Sequence, residues 1–235
     1  MSAIEQVLAL QALDTSTDQL RHQLERLPER AARAEADAAV KALVAERSSL
    51  ARRTEQLDAE VSQAERDSAA IDTHAERLNK QLKTVISPRE AEALQNELAT
   101  LAARRSDLDD VELAALESLG EIEAAETALA EREPGLRDAA SGAATTQAAV
   151  EADIAGQLDE LSARRAAAAA ETPDSLLGAY ESMRKQHGGV AISRLQGSAC
   201  GGCHLDLSRS ELEAIKAQSG DEPAHCPNCD RWLVR

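Results

Sequence analysis

Leu82-Lys83-Thr84-Val85-Ile86-Ser87-Pro88-Arg89-Glu90 decides how this chain folds. Two long heptad-patterned stretches meet there, and Ser87-Pro88-Arg89-Glu90 reads as the start of a helix. Ser87 can cap it, Pro88 suits the first turn because its missing N–H would be unpaired anyway, and Glu90 lies three residues after the cap. Pro88 also drives Ser87 out of the helical region. One helix therefore ends and another begins around residues 86–89. The flanking arms, residues 4–85 and 88–170, are nearly equal in length, as an antiparallel hairpin requires. At 1.5 Å per residue each arm would span roughly 120 Å.

Upstream of the turn, Leu50, Thr54, Leu57, Val61, Ala64, Ser68, Ile71, Ala75, Leu78, Leu82 and Val85 alternate at spacings of four and three, an unbroken coiled-coil seam. Leu20, Leu24, Leu27, Ala31, Ala34 and Ala38 do the same in another phase, and the phase change is expected between Ala38 and Leu43. Downstream, one frame runs from Leu94 through Leu108, Leu119 and Leu136 to Leu161, but it also takes in Arg105, Glu112, Glu126 and Glu133. A sealed core would not accept those charges. The pattern predicts a two-helix contact with wet edges, where long side chains lie along the seam with their heads in water.

With the turn centred near residue 87, position i should face roughly position 174−i. Residues 31–40, rich in Ala, would then face residues 134–143, which include Pro134, Gly135 and Gly142. Small residues opposite one another predict close helix approach, and Pro28 and Pro134 in the same region predict a kink.

Composition agrees with a rod. Of 235 residues, 48 are Ala, while there is one Trp, one Tyr and no Phe, which leaves too few large side chains for a sandwich, a barrel or a doubly wound sheet. No apolar run reaches the ~18 residues that span a bilayer. Residues 1–14, with Ile4, Val7, Leu8, Leu10 and Leu13, read as an amphipathic helix rather than a signal peptide, so a cytoplasmic protein is expected. The formal charge is −16. Residues 176–235 hold seven acidic and seven basic side chains, so the whole excess sits on residues 1–175. An acidic rod repels phosphate, and nucleic acid could bind only at the neutral tip.

Beyond residue 170 the character changes. Thr172-Pro173-Asp174 begins a short helix ended by His187-Gly188-Gly189, residues 190–195 alternate like a strand, and Ser208 with Glu211 opens a further helix. The expected division is thus a hairpin over residues 1–171 and a small domain over residues 172–235.

Cys200-Gly201-Gly202-Cys203 and, 22 residues on, Cys226-Pro227-Asn228-Cys229 carry the chemistry. A two-residue spacer lets both sulfurs of a knuckle face one ion, and two knuckles supply the four thiolates of a structural zinc site. Iron in a rubredoxin-like site would want aromatic wrapping that is missing. A redox Cys-x-x-Cys needs a βαβ context, and none is visible. Four sulfurs also close the coordination shell, so hydrolysis at the metal is not expected, and no nucleophile–base arrangement suggests an enzyme. His204 and His225 flank the knuckles and read as solvated or supporting side chains. Arg184, Lys185, Arg194, Arg209 and Lys216 are candidate contacts to a partner or to nucleic acid. Trp232 is a candidate stacking surface, though it fits better as the core of the small domain, and Tyr180 as a packing contact between the short helix and that domain.

Ser87-Pro88-Arg89-Glu90 with Ala93-Leu94-Gln95-Asn96-Glu97, Cys200-Gly201-Gly202-Cys203-His204 and Cys226-Pro227-Asn228-Cys229 together resemble a bacterial family that joins a coiled-coil hairpin to a C-terminal C4-type zinc ribbon. Asp230 stands where such knuckles often carry Gly, and Asp tolerates the left-handed conformation. The resemblance covers essentially the whole chain. It implies a mainly α fold, one structural Zn2+ and a non-enzymatic role. Some members bind the sigma-54 class of sigma factor or flagellar and secretion components, and one is linked to messenger RNA. For this chain the expected role is an adaptor for a protein partner, as monomer or dimer. The alternative is an RNA- or DNA-binding regulator acting through the ribbon tip.

Overall fold

The structure is a computed structural model, described for residues 2–218 and 223–234. Among the described residues, five helices and four short strands follow in the order α1 (Ala3–Glu25), α2 (Pro28–Leu82), α3 (Pro88–Ala170), α4 (Asp174–Gln186), β1 (Ile192–Gln196), β2 (Ala199–Cys200), α5 (Arg209–Ala217), β3 (Ala224–His225) and β4 (Trp232–Val234). The long helices form a hairpin, followed by a small strand region. α3 begins at Pro88 as the turn sequence predicts, and its first backbone bond runs from the Ala91 N–H to the Ser87 carbonyl at 3.0 Å.

The chain divides into two compact units, residues 32–144 and residues 1–31 with 145–235. In the first unit α2 and α3 run antiparallel. Every α2 seam position from Leu50 to Leu82 is buried or half-buried, with Leu57, Ala64, Ser68, Ile71 and Leu78 at 2–8% exposure. Two of the charged seam positions on α3, Glu133 and Arg105, are met by ions across the interface. Arg47 Nη1 donates to Glu133 Oε2 at 2.8 Å, and Arg105 Nε lies 3.7 Å from Asp72 Oδ1. Glu133 also accepts from Arg137, one turn on, and these two arginines hold its carboxyl below the usual range.

Three expectations change. Arg47 would face position 127 but meets Glu133, and within the second unit Arg30 would face position 144 but meets Glu151 at 2.9 Å. Asp72, nearer the turn, is displaced less, to Arg105 rather than 102. The pairing therefore slips progressively away from the turn. Secondly, Ala31, Ala34 and Ala38 are exposed, and the inward face passes instead through Ala36, Ala39, Val40 and Leu43. The helix stops at Glu25 and restarts at Pro28, so the phase resets at that break rather than after Ala38. Thirdly, a Cβ built on Gly135 or Gly142 would meet nothing within 4 Å, so these glycines do not mark a close approach.

The second unit cuts across the expected division at residue 171, because α1 is packed with the strands. Val7 and Leu10 of α1 are fully buried in one cluster with Tyr180, Ala191, Ile192, Trp232 and Val234. Burying such side chains contributes roughly 1.5–3 kcal/mol each, against about 0–1 kcal/mol for an exposed ion pair. Apolar packing therefore decides this arrangement. Gln11 completes it. Its Oε1 accepts from the Ala191 and Ile192 N–H groups at 2.6 and 2.8 Å, and its Nε2 donates to the Ile192 carbonyl at 2.7 Å. The strands form one sheet in the order β2-β1-β4-β3, with β1 and β4 parallel. Alternation along β4 sends Trp232 and Val234 into the α1-facing cluster and Leu233 into a second cluster with Cys200, Leu207, Ile215, Ala224 and Cys226.

Candidate metal centre

Each knuckle is held by the same backbone pattern. The N–H of the residue after the second cysteine returns to the carbonyl of the first, His204 to Cys200 and Asp230 to Cys226, both at 2.8 Å. The N–H of the first cysteine then bonds beyond the turn, Cys200 to the Leu205 carbonyl at 3.0 Å and Cys226 to that of Arg231 at 2.9 Å. This folding-back requires a left-handed residue after each pair, and His204 and Asp230 both sit at φ 61°. Asp230 thus takes the conformation its position demands. His225 Nδ1 lies 2.9 Å from Asp230 Oδ1, which ties that residue down.

The two glycines of the first knuckle are there for space. A Cβ on Gly201 would come within 2.7 Å of the Arg194 carbonyl oxygen, and one on Gly202 within 2.9 Å of Arg231 Cδ. Arg231 is a clamp. Its guanidinium donates to the carbonyls of Val190 (2.8 Å), His187 (3.3 Å) and Gly202 (3.4 Å), fastening the end of α4 to the knuckle.

Sulfur positions fit one ion. All four Sγ atoms lie within 4.8 Å of one another, with Cys200–Cys229 and Cys203–Cys226 each at 3.9 Å. Tetrahedral zinc with Zn–S near 2.3 Å needs neighbouring sulfurs about 3.8 Å apart. None of the four is in a disulfide. Burial raises the Cys200 thiol, but the N–H groups of Cys203 and Gly202 outweigh it and bring the value to about 6. Cys226, with burial dominant, is pushed up to about 12. The Gly202 N–H donates to Cys200 Sγ at 3.3 Å, and Ser193 Oγ is 3.6 Å away, so the sulfur has partners besides the metal. Four sulfurs leave a bound zinc no open position. The ion would cross-link the two knuckles and form part of the core with Leu207, Ile215 and Leu233.

The remaining candidates do not converge. Trp232 is 3% exposed, its ring enclosed in the α1-facing cluster, so it offers no face for stacking in this conformation. Arg184 bonds Asp18 and lies 3.7 Å from Asp14, as part of a network in which Arg165 donates to Asp14 at 3.2 Å and to Glu181 at 2.8 Å. Tyr180, fully buried, donates its hydroxyl to Asp14 at 2.7 Å and so packs on α1 as well as on the strands. Lys185, Arg194 and Lys216 are exposed, and Arg209, 94% exposed, lies 3.3 Å from Glu213. Sequence reasoning missed Gln11, Asp14 and Arg231. Gln11 and Asp14, polar residues on the apolar side of an amphipathic helix, were the available signal. Arg231, one of the seven basic residues of 176–235 and the first residue of the strand expected after the second knuckle, gave none.

No described helix is long and apolar enough to cross a membrane. The sequence model of the CT398-like coiled coil hairpin domain matches residues 10–188, and that of the C4-type zinc ribbon domain matches residues 199–233. The chain is 32% identical over 235 residues to the uncharacterized protein Rv2229c of Mycobacterium tuberculosis, covering 97% of this chain and 94% of that one. It superposes on a solved structure from Mycobacterium smegmatis with a TM-score of 0.81 at 24% identity, covering 100% and 99% of the two chains. It superposes on CT398 from Chlamydia trachomatis with a TM-score of 0.77 at 19% identity, covering 98% and 96%. At those identities the structures speak for the fold, while the matched sequence models cover both the hairpin and the four cysteines. The chain belongs to the CT398-like coiled-coil hairpin family and carries that family's hairpin together with a C4 zinc ribbon.

Proposed function

We propose that this protein is a non-enzymatic, cytoplasmic adaptor that binds a protein partner through its coiled coil, with the zinc ribbon as the folded end that organises the first turns of α1. The observation that carries this reading is apolar surface on the helices. Val111, Leu113 and Leu116 are 48%, 57% and 49% exposed, and Ile86 at the turn is 96% exposed. The four-thiolate site supports a structural metal rather than a catalytic one. Free thiols at such a site suit a reducing compartment.

The alternative is nucleic-acid binding at the ribbon, favoured by the exposed Lys185, Arg194, Arg209 and Lys216. Against it stand the buried Trp232, the neutralised Arg184 and a net charge of −16. Fluorescence anisotropy of labelled short RNA and DNA, titrated with zinc-loaded protein at two salt concentrations, separates the two. The adaptor reading predicts no binding at low salt. Binding that falls steeply with salt and is lost on Arg194→Glu with Arg209→Glu would replace it with the nucleic-acid reading.

A further inference from the structure

The α3 seam against α2 uses Glu112, Ala115, Leu119 and Ile122, which are buried or half-buried. One position later runs a second stripe, Asp109, Leu113, Leu116, Gly120 and Glu123, at the same alternating spacing of four and three. One residue rotates the stripe by about 100° around the helix, away from the seam. All five residues are exposed, Leu113 at 57% and Leu116 at 49%. Single exposed leucines are ordinary. Here two of them take up a heptad phase that α2 does not cover.

Gly120 adds a separate observation. Glycine inside a helix costs about 1 kcal/mol relative to alanine. A Cβ at Gly120 would meet nothing within 4 Å, so no contact within the protein requires the glycine. Its effect is a notch in the stripe beside Leu116, where another backbone can approach.

Charge identifies the occupant. Residues 107–131 contain nine Asp or Glu and no Lys or Arg. A second copy of this face would set like charge against like, and a phosphate backbone would be repelled as well. We propose that this stripe docks an amphipathic helix of another protein, whose apolar ridge meets Leu113 and Leu116 and whose flanks carry Lys and Arg. The proposal names a surface and a partner class for the adaptor reading and rests on that reading.

The test titrates full-length, zinc-loaded protein into a labelled three-heptad synthetic peptide with Leu at alternating spacings of three and four and Lys on its flanks. A peptide of identical composition in scrambled order measures plain charge attraction. The patterned peptide should gain helicity on binding and bind at least about tenfold more tightly than the scrambled one. Leu113→Ser with Leu116→Ser, which leaves the charge unchanged, should remove that advantage, while Ile86→Ser should keep it. Equal affinities for the two peptides, or an advantage that survives in the double variant, would overturn the proposal. So would a concentration-dependent dimer that the double variant abolishes, since the occupant would then be a second copy. If the double variant still retains a stoichiometric protein from its native cytoplasm, the adaptor reading stands and this surface alone is rejected.

Discussion

Gln11 on α1 and Ile192 on β1 hydrogen-bond in both directions, Nε2 to the Ile192 carbonyl at 2.7 Å and the Ile192 N–H to Oε1 at 2.8 Å, so that one side-chain amide stands in for a neighbouring strand. Gln11→Leu keeps the bulk and leaves buried backbone groups unpaired, at a cost of at least about 2 kcal/mol. Urea unfolding followed by the fluorescence of Trp232, the single tryptophan, should show the loss. An unchanged midpoint would mean that water replaces the amide.

Tyr180 should resist ionisation. Burial and its bond to Asp14 raise its pKa far above the ordinary value of 10.0. The stabilisation is therefore complete below pH 10 and is lost as pH climbs above it, because only the unfolded chain can then release the phenolic proton. Since Tyr180 is the single tyrosine, absorbance at 295 nm should stay flat at pH 11 until the protein unfolds. Tyr180→Phe should cost about 1.5–3 kcal/mol at neutral pH, as a hydrogen bond to a charged group, and flatten the alkaline decline.

Zinc removal should reach beyond the ribbon. Cys203→Ser or chelation should unfold the strands and expose Val7 and Leu10, which pack against Ile192 and Trp232. Hydrogen exchange should accelerate across residues 7–14 and remain slow across residues 57–78 of α2. Cys226, pushed up to about 12, must lose a proton to bind metal, so reloading should release acid and zinc should leave as pH falls. Both can be followed with a pH indicator and a chromogenic chelator.

Two glycines should respond in opposite directions. Gly201→Ala drives a Cβ to 2.7 Å from a backbone oxygen that the β1–β2 pairing fixes, and zinc affinity should drop by at least about tenfold. Gly120→Ala meets open space on a helix and should raise stability by up to about 1 kcal/mol. Equal effects would remove the distinction between the crowded and the open glycine.

The hairpin was legible because its signals are local and repetitive: a seam of period 3.5, a proline-marked helix start and two Cys-x-x-Cys knuckles. What escaped the sequence depends on contacts far apart in the chain. Whether Gln11 meets a strand 181 residues away cannot be read from helical periodicity, nor can the joining of Asp14 to Tyr180 and Arg165. The register slipped for a related reason. The turn position alone does not determine the pairing at Arg30 or Arg47, which lie in the continuous α2 on the turn side of the break before Pro28. The spacing placed Ala31, Ala34 and Ala38 on the inward face, but those three face solvent and Ala36 and Ala39 turn inward instead.

The adaptor account is tested most directly by purifying the protein from a lysate of its native cells after nuclease treatment and measuring the mass of the particle by light scattering, alongside its ultraviolet spectrum. The account predicts a complex heavier than the 25.0 kDa chain, containing a second protein in stoichiometric amount and no excess absorbance at 260 nm. A bare chain, or a particle whose extra mass disappears with the nucleic acid, would contradict it.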